Sequence, residues 1–129
     1  MTENQNVENK EQPLDISNSI LEKIYELERL KKLYRQVLSE TVESQSDYDK
    51  ALALTIMRLR NGKEVELDGE KIKDPQAVLI ERISRGICWK EKLEVEKASA
   101  RIDGIKSNIQ CVLAQLNGFQ SINRNLSEL

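Results

Sequence analysis

The chain has 129 residues, 39% apolar, 33% charged and 4% aromatic, with a net charge of −2, five glycines, two prolines and no histidine. This is the composition of one helix-rich domain. The lack of His removes the commonest general base and metal ligand, and the small net charge argues against bulk attraction to nucleic acid or anionic membrane.

Residues 1–13 are polar, hold a single Val and end at Pro13, so they are expected to form a disordered tail and no signal peptide. From Leu14 to Asn61 there is neither Gly nor Pro. Ile20, Ile24, Leu27, Leu30, Tyr34, Leu38, Thr41, Tyr48, Leu52, Ile56 and Leu59 step by threes and fours, which predicts a helix over about 15–61 with one apolar stripe. Asp15 or Ser17 is the expected N-cap, with Glu22 and Glu26 early in the helix on the favourable side of its dipole. Unbroken, this helix would be about 70 Å long. The polar run 39–49 offers a kink at Ser46 and Asp49 as the alternative.

Asn61-Gly62 closes the helix. Asp68-Gly69 then signals a two-residue β-hairpin within 63–73, because a type I′ turn needs positive φ at both positions. Folding about it sets Leu67 opposite Glu70, Glu66 opposite Lys71 and Val65 opposite Ile72, a register of compatible pairs. The hairpin must either pack on the helices or add an edge strand to a neighbour. Asp74-Pro75 reads as N-cap and first turn of a short helix over 75–85, ended or bent by Gly86. A further helix over 87–117 carries Val95, Ala98, Ile102, Ile105, Ile109, Val112 and Leu116 at alternating spacings of three and four, a coiled-coil-like repeat. Asn117-Gly118 is expected to separate it from a C-terminal helix over 119–127. The predicted fold is mainly all-α: a single domain over 14–129, built as an antiparallel hairpin of long helices with the β-hairpin and short helix as connector.

Three surfaces are candidates for function. Arg29, Lys31, Lys32 and Arg35, beside Tyr34, are either a solvated face with pairs such as Glu28 to Lys32 or phosphate contacts with an aromatic to stack on bases. Arg58, Arg60, Lys63, Lys71, Lys73, Arg82 and Arg85 could converge at the connector as a partner or nucleic-acid contact, diluted by the acids Glu64, Glu66, Glu70, Asp74 and Glu81. Ile102, Ile105, Ile109, Val112, Leu116 and Phe119, in a region poor in charge, suggest an oligomer interface, since a two-helix hairpin leaves apolar surface for a second copy. Trp89 is expected to pack the connector against the helices, with a partner hot spot as the sharper reading.

No P-loop, GxSxG or metal-ligand spacing is present in the sequence, so neither catalysis nor a cofactor is expected. Cys88 and Cys111 lack CxxC spacing and read as small buried apolar residues. They could pair only if the fold juxtaposed them, and two lone thiols fit a reducing cytoplasm. No apolar run approaches the ~18 residues of a membrane span.

The stretch NGKEVELDGEKIKDPQAVLIERISRGICWKEKLEVEKA, followed by IQCVLAQLNGFQSINR, resembles a group of small, largely uncharacterised phage and prophage proteins of Gram-positive bacteria. The resemblance covers roughly 50–125 and rests on the DGE-x-I-K-D-P turn, the RISRGICWKEK junction and the AQLNG-x-QS-x-NR tail. It implies an accessory role in phage DNA replication or recombination within the host cytoplasm, or alternatively inhibition of a host defence protein or nuclease. It assigns no functional residues. The combined expectation is a non-catalytic, self-associating protein with a protein partner, possible nucleic-acid contact, and no membrane or small-molecule substrate.

Overall fold

A computed structural model describes residues 13–128, so the expected disordered tail, apart from Pro13, lies outside the described residues. The elements are α1 (Pro13–Arg60), β1 (Val65–Leu67), β2 (Glu70–Ile72), a 3-10 turn (Ala77–Leu79), α2 (Ile80–Ile87) and α3 (Trp89–Ser127). The fold is mainly all-α, with two long helices and the short sheet and helix as connector.

α1 is one helix through 39–49, with no break at Ser46. Among the described residues it is helical from Pro13 onward. Asp15 and Ser17 therefore lie inside the helix and do not cap it, and the Asp15 carbonyl accepts a hydrogen bond from Ser19 Oγ at 3.0 Å.

Of the expected α1 stripe only Leu38 is exposed, and the inward row runs through Val37 instead. Ile16, Ile20, Lys23, Leu27, Leu30, Tyr34, Val37, Thr41, Ser44, Tyr48, Ala51 and Thr55 alternate in steps of four and three, and every one is buried or half-buried. Val37 is fully buried, whereas its neighbour Leu38 is 42% exposed. In α3, Glu91, Val95, Ala98, Ile102, Ile105, Ile109, Val112, Leu116, Phe119, Asn123 and Leu126 form the matching row. The seven-residue repeat passes Asn117-Gly118 without a slip, so the expected separate C-terminal helix is the end of α3. Packing of Phe119 and Leu126 in the same register outweighs the roughly 1 kcal/mol helix penalty of Gly118.

The chain divides into two compact units. One comprises residues 13–33 and 105–128. There, Lys23, Glu26 and Leu30 of α1 share a groove with Asn108, Cys111, Val112 and Gln115 of α3. The other is Tyr34–Gly104. In it Arg101 Nη1 donates to Glu40 at 2.8 Å, Lys92 lies 5.3 Å from the Tyr48 ring centre, and Thr55 Oγ1 meets Cys88 Sγ at 3.4 Å. Positions on α1 rise as those opposite them fall, so the helices of this unit run antiparallel. Its core is built on Tyr48, Cys88 and Val95, with Ala51 and Leu52 packed against them.

Candidate interaction surfaces

The connector begins where α1 closes. Lys63 N–H donates to Arg58 O at 3.0 Å and Gly62 N–H to Leu59 O at 3.2 Å, with Gly62 at φ +73°. This paired pattern is a Schellman ending, and it needs a residue tolerant of the left-handed region. β1 and β2 pair antiparallel with Val65 opposite Ile72, Glu66 opposite Lys71 and Leu67 opposite Glu70, the register read from the sequence. Asp68 and Gly69 both have positive φ, as a type I′ turn requires. The hairpin packs on its own chain: a Cβ placed on Gly86 of α2 would lie 3.9 Å from Leu67 Cδ2.

Asp74 does not cap a helix. Asp74 adopts φ +46°, outside the β-region conformation of an N-cap. A Cβ on Gly62 would sit 3.2 Å from Asp74 Oδ1, so this carboxylate closes the connector against the end of α1. The helical path starts later, with the 3-10 turn at Ala77, and Gln76 makes no side-chain cap. Gly86 neither ends nor bends the helix. α2 continues to Ile87 and the break falls at Cys88, whose φ of −87° and ψ of 25° separate α2 from α3.

The seven connector bases, Arg58, Arg60, Lys63, Lys71, Lys73, Arg82 and Arg85, are all exposed and all belong to the Tyr34–Gly104 unit. Lys71 pairs with Glu64 at 3.8 Å and Arg85 with Glu81 at 2.6 Å. Both pairs are solvent-exposed and contribute at most about 1 kcal/mol. Among the described residues no ion pair engages Arg58, Arg60, Lys63, Lys73 or Arg82. The same unit leaves apolar side chains uncovered: Val78 is 84% exposed, Trp89 46%, and Leu79 and Leu93 are also exposed. Trp89, expected to pack the connector onto the helices, is only partly covered. Its ring carries Lys90 Nζ at 5.5 Å from the centre, and it lines a shallow depression with Leu93.

Arg29, Lys31, Lys32 and Arg35 are exposed on α1, and among the described residues none has an ion-pair partner; the expected Glu28–Lys32 pair is absent. Tyr34 is half-buried in the seam, which removes it as a free stacking platform. Ile102, Ile105, Val112 and Leu116 are buried within the chain, and Ile109 and Phe119 are half-buried. These positions of α3 are therefore covered within a single copy of the chain. Cys88 is buried, but Cys111 is exposed, contrary to the reading of both as buried; both are free thiols.

Among the described residues no group of three or more Cys, Asp or Glu could hold a metal ion, and no helix is long and apolar enough to cross a membrane. Comparison with protein-family models, curated proteins and solved structures finds no match.

Proposed function

We propose that this chain is a non-catalytic binding protein that associates with itself and presents its connector end to a macromolecular partner. The observation that carries this reading is the exposure of Val78 and Leu79 on the connector and of Trp89 at the start of α3. Apolar anchors with a polar surround are what protein interfaces are built on. Self-association is favoured by the thin core: among the described residues thirteen apolar and two polar ones are buried, leaving long helix faces uncovered. The resemblance to phage accessory proteins adds service to phage DNA replication or recombination in the host cytoplasm.

A second reading, inhibition of a host defence protein or nuclease, is favoured by the same apolar anchors. Six acids are interleaved with the seven connector bases, which weakens a purely phosphate-directed role. Binding of the full chain to single- and double-stranded DNA over a salt series, with a pull-down from infected host repeated after nuclease treatment, separates the two. A DNA role predicts binding that falls steeply with salt and is weakened by Lys71→Glu with Lys73→Glu. An inhibitor predicts a stoichiometric, nuclease-resistant complex that Val78→Asp abolishes. Associations indifferent to all three substitutions would remove the connector from consideration.

A further inference from the structure

The outer face of α3 is unusual in a chain that is 33% charged: from Ser107 to Asn123, seventeen residues, it has no charge at all. An acidic or basic partner finds no opposite charge along this stretch. A second copy loses nothing by covering it, because no ion is taken out of water. The groove on its flank is equally balanced. Gln115, Gly118, Phe119 and Ile122 line it together with Lys23, whose ammonium is already held by Glu26 at 3.1 Å.

The charges resume at the two ends of this face with opposite signs. Asp103 lies eleven residues before Ala114 and Arg124 ten residues after it. Both are exposed, and among the described residues neither has an ion-pair partner. If two α3 helices cross a twofold axis at Ala114 in opposite directions, Asp103 of each copy comes opposite Arg124 of the other. The residues between are compatible with that axis. Ser107, Cys111, Ala114, Gly118 and Ser121 are all exposed and alternate in steps of four and three, so serine meets serine and Cys111 meets Gly118. Their small size lets the backbones approach, and nothing lies within 4 Å of a Cβ built on Gly118. Gln115, donor and acceptor at once, can pair with its own copy.

We propose that α3 docks antiparallel on α3 of a second copy of this chain, centred on Ala114 and closed at each end by an Asp103–Arg124 pair. This rests on the self-association proposed above and gives it a surface. The overlap spans about 30 Å of helix.

Light scattering on the full chain, with helicity followed by circular dichroism, tests this. The wild type is expected to be dimeric. Ala114→Glu, which sets two carboxylates at the axis, is expected to give a helical monomer. Asp103→Arg is expected to raise the dimer dissociation constant at least tenfold by facing Arg124, and adding Arg124→Asp restores the dimer with the charges exchanged. That restoration keeps the test sound even if Ala114→Glu disturbs folding. A dimer indifferent to Ala114→Glu and Asp103→Arg overturns this surface and leaves self-association standing. A chain that is monomeric at every concentration overturns both.

Discussion

Thr55 and Cys88 join α1 to the break between α2 and α3. The Thr55 hydroxyl donates to the Ala51 carbonyl at 2.8 Å, so its oxygen is left to accept from the Cys88 thiol, 3.4 Å away. The direction of the S–H bond follows from the inventory, because the one hydroxyl proton is already committed.

The two thiols should therefore differ in reactivity. In dilute native protein, a thiol reagent is expected to modify Cys111 rapidly and Cys88 only as the Tyr34–Gly104 unit opens. The time course of labelling, with and without denaturant, checks this. Equal native rates would contradict the burial of Cys88.

Ser84 is fully buried and its Oγ has no hydrogen-bond partner among the described residues. A buried hydroxyl without a partner costs about 1–3 kcal/mol in desolvation. Ser84→Ala is expected to raise stability by about 1 kcal/mol, read as a higher urea midpoint at unchanged slope.

Val37 and Leu38 are adjacent but face differently. Val37→Ala is expected to cost about 2 kcal/mol, for lost burial and the cavity left behind. Leu38→Ala, at a side chain 42% exposed, should cost less than about 1 kcal/mol. Urea melts of the pair test the register of the α1 seam.

Two glycines should respond in opposite directions to the same change. Gly104→Ala meets nothing within 4 Å on an exposed helix face and should stabilise by about 1 kcal/mol. Gly62→Ala forces a Cβ at φ +73° to within 3.2 Å of Asp74 Oδ1 and should destabilise by at least about 1 kcal/mol. Thermal melts of the two variants decide.

The β-hairpin was legible because Asp68-Gly69 and the alternation of Val65, Leu67 and Ile72 specify turn and register locally. The α3 row was legible from Val95 to Leu116 because nearly every position in it is aliphatic. The α1 seam was harder: Lys23, Thr41, Ser44 and Thr55 occupy inward positions, so counting apolar residues selected Leu38 over Val37. Local stop signals also misled where packing outweighs them. Asn117-Gly118 carries helix-ending residues but sits within an unbroken repeat, and Gly86 lies inside α2. Asp74 was assigned to a cap because its residue type suits one, while its backbone turns left-handed at φ +46°, which the residue type alone does not announce. For the candidate surfaces, exposure of the connector bases follows from their chemistry. Exposure of Trp89 and Val78 depends on how α2 and α3 pack, which no local pattern encodes.

The unslipped repeat of both helices makes length interchangeable in whole increments. In the Tyr34–Gly104 unit, excising 41–47 from α1 together with the facing stretch 95–101 from α3 would splice like onto like, whereas trimming three or four residues from one helix would rotate everything beyond the cut away from its mate. Evolution could thus lengthen or shorten this unit in paired steps, leaving its connector chemically untouched.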